Sequence, residues 1–217
     1  MRAVVKAIIF DFDGVLVESN DIKTAAFAEL FNNYPDYRDA MMDHHLHHQS
    51  APRMTKFRYF VSQLLNLAGP AAEAKAEQLA DAFSLLVVDR IVACPEVSGA
   101  SALLADLKGR LPLYIASHTP EDELKTILAR RGWRRYFNHV FGNPPTTKTE
   151  AVRRILELEK CAPGQVLFIG DAPSDHAAAQ TSGLMFIGRD SGLLAQREDV
   201  RIEPDMLSVG RAIKELL

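Results

Sequence analysis

The chain is poor in cysteine, with only Cys94 and Cys161 among 217 residues. Nothing in their spacing forms a metal knuckle, so they read as buried or idle thiols of a reducing compartment. It also lacks a charge excess. The formal charge is −3, with acids and bases mixed along the chain. That balance argues against a dedicated nucleic-acid partner, while leaving a locally positive pocket open. No apolar run approaches the length of a membrane span. The opening Val4-Val5-Lys6-Ala7-Ile8-Ile9-Phe10 is too short, and too soon followed by acids, to be a signal peptide. The expectation is a cytoplasmic protein without a membrane partner. Internal repeats and low-complexity tracts are missing too. What remains is core: a hydrophobic fraction of 47% is ample for a soluble globular fold. The length suits one α/β domain, or one carrying a substantial insertion.

The most informative stretch is Ile8-Ile9-Phe10-Asp11-Phe12-Asp13-Gly14-Val15-Leu16. An apolar strand delivers two acids, one residue apart, into a glycine turn. Alternate side chains of a strand share a face, so Asp11 and Asp13 start out aimed the same way. Carboxylates at that spacing repel unless a cation lies between them or one holds a proton. Asp-x-Asp-Gly is a weak pattern alone, and a strand that merely ends in acidic turn residues would also produce it.

Four apolar segments read as buried parallel strands: Val4–Phe10, Leu111–Ala116, Val166–Ile169 and Leu184–Ile187, with a shorter one from His139 to Phe141. Amphipathic stretches alternate with them, which predicts a doubly wound, Rossmann-like parallel sheet. One helix carries Ala100, Leu103, Leu104 and Leu107 and stops at Gly109. Another opens with Thr119-Pro120-Glu121-Asp122, an N-cap followed by proline and acids, and ends at Gly132. A third presents Val152, Ile155, Leu156 and Leu158 before Pro163-Gly164, and a last one lies near Ser208–Leu217. Residues 17 to 94 break the alternation. Ile22, Ala26, Phe27, Leu30 and Phe31 form one helical stripe, and Phe57, Phe60, Val61, Leu64 and Leu65 another. Gly69-Pro70 separates these from an alanine-rich helix running to Ile91. An all-helical block between the first and second strands reads as an inserted domain. The core is then residues 1–16 and 95–217.

Three more groups gain meaning because each follows a predicted strand, where open α/β sheets bind ligands. Ser117-His118-Thr119 ends the second strand, and Gly170-Asp171-Ala172-Pro173-Ser174-Asp175 ends a later one. Lys148 opens a helix after Asn143-Pro144-Pro145-Thr146-Thr147. Together these residues suit phosphoryl transfer. Asp11, Asp171 and neighbouring backbone oxygens are hard ligands fit for Mg²⁺. Lys148 and the Ser117 hydroxyl would hold phosphate oxygens, aided by helix N-terminal amides. Singly, Ser117 also reads as a turn residue, Lys148 as a solvated helix start and Asp175 as a helix-N-terminal acid.

Asp11-Phe12-Asp13-Gly14-Val15-Leu16, Ser117, Lys148 and Gly170-Asp171-x-x-x-Asp175 resemble, in order and spacing, the four motifs of the haloacid dehalogenase-like (HAD) hydrolase superfamily. The inserted helices look like its C1-type cap, as in the phosphoglycolate phosphatase and β-phosphoglucomutase branches. The resemblance implies Asp11 as nucleophile, forming an aspartyl-phosphate. It implies Asp13 as the acid that protonates the leaving alcohol and then activates water. Mg²⁺ would be held by the Asp11 carboxylate, the Asp13 backbone carbonyl and the Asp171 carboxylate, with Asp175 acting through a bound water or as an orienting group. Ser117 and Lys148 would stabilise the transferring phosphoryl oxygens, and Gly14 would line the substrate site. His118 departs from the small or amide residue of many relatives and is a candidate for the pocket mouth. Thr149-Glu150 replace a common proline after Lys148, yet Lys148 is preferred over the mid-helix Lys125.

The resemblance also implies that a cap loop near Ser50-Ala51-Pro52-Arg53-Met54 reads the leaving group. Arg53 is the candidate for a substrate anion, against a solvated helix-start arginine. His44, His45, His47 and His48 include helical i, i+3 and i, i+4 pairs, but only Asp43 stands near to complete a metal site. A solvated or substrate-adjacent helix is the preferred reading. The expected activity is Mg²⁺-dependent hydrolysis of a small phosphorylated metabolite by a monomer or homodimer. The alternatives are a phosphomutase of the β-phosphoglucomutase type, a phosphonoacetaldehyde hydrolase-like enzyme using Lys56, and a non-catalytic binding module. Asp13 and Asp171 argue against a dehalogenase, which lacks the second acid and the metal.

Overall fold

The computed structural model describes residues 4–195 and 197–217. In chain order, β1 (Ala7–Phe10) is followed by α1 (Asn20–Phe31), α2 (Arg38–His47), α3 (Arg53–Tyr59) and α4 (Gly69–Ala93). Then come α5 (Ala100–Leu107), β2 (Leu113–Ser117), α6 (Glu121–Arg130), β3 (His139–Gly142) and α7 (Lys148–Glu159). The chain closes with β4 (Val166–Gly170), α8 (Pro173–Thr181), β5 (Met185–Arg189), β6 (Ile202–Glu203) and α9 (Met206–Leu216). Two compact units result: Met1–Glu18 with Cys94–Leu217, and Ser19–Ala93.

The first unit holds the sheet, in the order β3-β2-β1-β4-β5-β6. All its pairings are parallel, with Phe10 level with Ile115 on one side and Ile169 on the other. The doubly wound parallel fold expected from the alternation of elements is therefore what forms. Order reverses between β1 and β4, so the crevice beyond their carboxyl ends is the topological switch point. Ala7, Ile9, Tyr114, Ala116, Val166 and Phe168 pack on one face against Ala151, Val152 and Ile155 of α7 and Ala179 of α8. The intervening Ile8, Phe10, Ile115, Leu167 and Ile169 are equally buried and by strand alternation face the other side. Burial on both faces explains why these strands read as unbroken apolar runs.

Several boundaries differ from the sequence reading, each for a local reason. β1 starts at Ala7 because Val4 is exposed and only Lys6 already donates to a neighbour, Gln165. The edge strand β6, two residues long, is too short to carry a periodic signal. Leu158 is exposed while Val152 and Ile155 are buried, so the stripe on α7 is narrower than its spacing suggested. Helix α6 begins at Glu121 with Pro120 as its N-cap, so Thr119 lies outside it.

The second unit is helical among its described residues, around Phe27, Phe31, Met41, Phe57, Phe60 and Phe83. Phe27 touches the rings of Phe57 at 5.3 Å and Phe83 at 4.6 Å, knitting α1, α3 and α4 together. Gly69-Pro70 does not separate helices but opens α4, since proline is tolerated in a first turn where its missing N–H is not needed. A π-helical turn, Phe60–Leu64, follows α3.

Candidate active site

The site is built at the carboxyl ends of β1 and β4. Asp11 follows β1 directly, and its N–H still pairs with Ile169 of β4 at 2.9 Å. Its carboxylate is buried, with Oδ1 accepting from the Phe12 N–H at 2.7 Å and Oδ2 from Lys148 Nζ at 2.8 Å. Lys148 arrives there because Thr147 caps α7. The Thr147 hydroxyl accepts from the Glu150 N–H while the Glu150 carboxylate accepts from the Thr147 N–H, a reciprocal capping box. The departure at Thr149-Glu150 thus anchors the helix that carries the lysine. Lys148 donates also to Asp175 Oδ1. Lys125 instead pairs with Glu121 at 2.6 Å on an exposed helix face.

Asp175 is wholly buried on the first turn of α8. Its Oδ2 accepts from the backbone N–H groups of Asp171 at 3.2 Å and Ala172 at 3.1 Å, folding the turn after β4 back on itself. Gly170 permits this: a Cβ there would fall 2.2 Å from the Asp175 Cβ. Ligand oxygens of Asp11, Asp171 and Asp175 all lie within 4.8 Å of one another. Among the described residues no second group of this kind occurs.

The electrostatics follow from crowding. Burial would lower the Lys148 pKa, but the Asp11 and Asp175 carboxylates override it and hold the ammonium above the ordinary lysine range. Burial pushes the Asp175 carboxyl up, with Lys148 opposing and the charges of Asp11 and Asp171 reinforcing. With all three carboxylates ionised, they and the one ammonium carry two net negative charges, which one divalent cation would balance. The donors are hard oxygens, the chemistry of a Mg²⁺-type site. Both Asp175 oxygens are committed to the lysine and backbone amides, which suits an orienting role for that residue.

Asp13 has a different environment. Although it shares the parity of Asp11 along the chain, its Oδ2 accepts from the Thr119 hydroxyl at 2.7 Å. Ser117 is buried at the end of β2, its Oγ accepting from the Thr119 N–H at 3.2 Å. His118, between them, is half-buried. Gly14 adopts a positive φ of 70° and its carbonyl accepts from Arg189 Nη1 at 3.0 Å. Arg189 also forms a bidentate pair with Glu18, so it braces the loop that bears both acids. Sequence reasoning took Thr119 for a helix cap and passed over Arg189. The only hint for either was its position at a strand's carboxyl end.

In the helical unit, Arg53 is not solvated. It donates to Ser84 Oγ at 2.8 Å and lies over the Phe83 ring at 4.8 Å. Of the solvated or substrate-adjacent helix expected for the histidines, the solvated reading fails for His45, which is buried against Phe27 with ring centroids 4.3 Å apart. Its packing residue Phe27 belongs to α1, a long-range neighbour that the local pattern does not reveal. Lys56 donates to His45 Nδ1 at 3.2 Å and to the Gln49 carbonyl at 3.1 Å, and His45 Nε2 meets the Thr24 hydroxyl at 3.1 Å. Burial, then the charges of Lys23 and Arg53, push the Lys56 amine down to about 7. Burial pushes His45 down to about 3. His44 stacks on Tyr59, and His47 and His48 each donate to a carbonyl one turn back. No described helix is long and apolar enough to cross a membrane.

Known proteins bear on this arrangement. The chain is 28% identical over 208 residues to a phosphoglycolate phosphatase of Synechococcus elongatus, covering 93% of this chain and 92% of that protein. CbbY from Rhodobacter sphaeroides, solved with xylulose-(1,5)bisphosphate and also with phosphate, superposes with a TM-score of 0.74 at 18% identity. The match covers 95% of this chain and 96% of CbbY. A haloacid dehalogenase-like hydrolase from Streptococcus pneumoniae superposes with a TM-score of 0.70 at 18% identity, covering 96% and 98% of the two chains. At these identities the superpositions speak for the fold alone. The sequence profile of one family spans residues 8–189, from β1 to the last residue of β5, and so takes in every acid and the lysine of the site. With the buried acids at the switch point and that profile in register over them, the chain belongs to the haloacid dehalogenase-like hydrolase family.

Proposed function

We propose that this protein is a Mg²⁺-dependent phosphomonoester hydrolase acting on a small phosphorylated metabolite through an aspartyl-phosphate. The observation that carries this reading is the buried set Asp11, Asp171, Asp175 and Lys148, three carboxyl groups clustered around one ammonium. Asp11, the Asp13 backbone carbonyl and Asp171 would hold the ion, with Asp175 orienting them. The ion would supply positive charge to the phosphate and shield the two carboxylates from the incoming anion.

Asp11 attacks phosphorus, and the bond to the leaving oxygen breaks as Asp13 gives that oxygen a proton. Asp13 then takes a proton from water, which attacks the phosphoaspartate and frees Asp11 and inorganic phosphate. Lys148 and the Ser117 hydroxyl stabilise the charge on the equatorial oxygens, and Gly14 would line the substrate site. Residues 17–94 would serve as a cap that excludes water and reads the leaving group, with Arg53 as its candidate polar contact and His118 of the core as a candidate for the pocket mouth. The phosphoglycolate phosphatase relative, and the sugar bisphosphate bound by CbbY, support a small anionic metabolite as the substrate class.

The test is phosphate release from a panel of phosphomonoesters, with Mg²⁺ and with a chelator, using wild type and Asp11→Asn. Wild type should release phosphate only with the metal, and the variant should fall by about a thousandfold or more. Equal release by the two proteins overturns the mechanism. Isomerised sugar phosphate without free phosphate would instead indicate a phosphomutase.

A further inference from the structure

We propose that Thr119 is a positioning residue that fixes the direction of the Asp13 carboxylate, an inference that rests on the acid–base role of Asp13 in the hydrolysis above. The two acids of the Asp-x-Asp pair differ in the kind of partner they meet. Asp11 meets an ammonium, whereas Asp13 accepts from a neutral hydroxyl, 106 residues further along the chain, at 2.7 Å. That one short hydrogen bond restrains the direction of the carboxylate.

Thr119 is equipped to act as an anchor because it has little freedom of its own. It is 1% exposed. Its N–H donates to Ser117 Oγ at 3.2 Å and its carbonyl accepts from the Asn143 N–H at 3.1 Å. Gly142 makes this second contact possible, since a Cβ there would lie 2.6 Å from the Thr119 carbonyl oxygen. Pro120 follows with its φ fixed by the ring. A β-branched side chain on such a backbone is stiff at χ1. The ends of β2 and β3 therefore dictate where the hydroxyl stands, and the hydroxyl dictates where Asp13 points. Thr119, which resembles a helix cap in sequence, lies outside α6, whose N-cap is Pro120.

Steady-state kinetics and crystal structures of Thr119→Val and Thr119→Ser decide the matter, with p-nitrophenyl phosphate and Mg²⁺ as the probe. Valine keeps the shape and removes the hydroxyl. It should lower kcat by about 10- to 100-fold with KM changed by less than about threefold, because a displaced acid affects the transition state more than binding. Serine keeps the hydroxyl and should stay within about threefold of wild type. The valine structure should show the Asp13 carboxylate turned away, and the serine structure should show it retained. Unchanged kcat in Thr119→Val, an unmoved Asp13 in its structure, or a serine variant as impaired as valine each overturns the proposal. A wild type that hydrolyses no ester refutes the hydrolase reading by itself, and the two crystal structures still decide what Thr119 does to Asp13.

Discussion

Lys56 offers the sharpest quantitative test of the physical reasoning. Its ammonium is buried in the helical unit with an imidazole nitrogen and a carbonyl as hydrogen-bond acceptors, and burial pushes it from 10.5 to about 7. The unfolded chain then holds the proton more tightly than the folded one, so stability rises with pH across the interval between the two values. Below about 7 the amine is charged in both states and the full penalty is present. As pH climbs from 7 to 9 the folded protein sheds the proton while the unfolded chain keeps it. The stability gained over those two units is about 2 kcal/mol. Lys56→Met removes the linkage. It also leaves His45 Nδ1 and the Gln49 carbonyl without their donor, but that loss does not vary with pH, since His45 is neutral throughout this range. Urea unfolding of wild type and Lys56→Met at pH 7 and pH 9, followed by circular dichroism, measures the difference. The advantage of wild type over the variant should grow by about 2 kcal/mol between the two pH values. Parallel pH dependence in the two proteins would refute the claim that burial depresses this amine.

Two further substitutions probe the buried acids. Lys148→Met should abolish phosphate release and destabilise the protein by about 3–5 kcal/mol at pH 7, because it leaves Asp11 and Asp175 without their shared cation. Added Mg²⁺ should recover part of that stability, visible as a larger metal-induced rise in Tm than in wild type. Gly170→Ala places a methyl 2.2 Å from the Asp175 Cβ. It should cost about 1–3 kcal/mol by overpacking and disrupt the amide contacts of Asp175, which loss of activity and an altered crystal structure of the turn would report.

Much of the site was legible because its determinants are local. A strand buried on both faces is an unbroken apolar run, and the acids after Phe10 and Gly170 stand where such runs end. Position at the carboxyl end of a parallel strand is a short-range signal, and it brought out Asp11, Asp13, Ser117 and Asp171 without any knowledge of contacts. Lys148 was legible for a similar reason, since it opens a helix. Leu158, Thr119 and His45 were misread because local pattern carries no information on what lies opposite a side chain. Thr119 looks like a cap until its hydroxyl meets Asp13 from a different strand end. His45 looks solvated among its neighbouring histidines until Phe27 and Lys56 bury it.

The sequence by itself determined the alternation of strands and helices, the interruption after the first strand and the residue types available at each strand end. These follow from hydrophobic period and turn chemistry, which act over a few residues. Only the tertiary structure decided which of those groups share a space. It paired Lys148 with Asp11 and Asp175, gave Asp13 a hydroxyl, and hid Lys56 from water. Those outcomes depend on strand order and on helices packing across long stretches of chain, where one ångström separates a hydrogen bond from none.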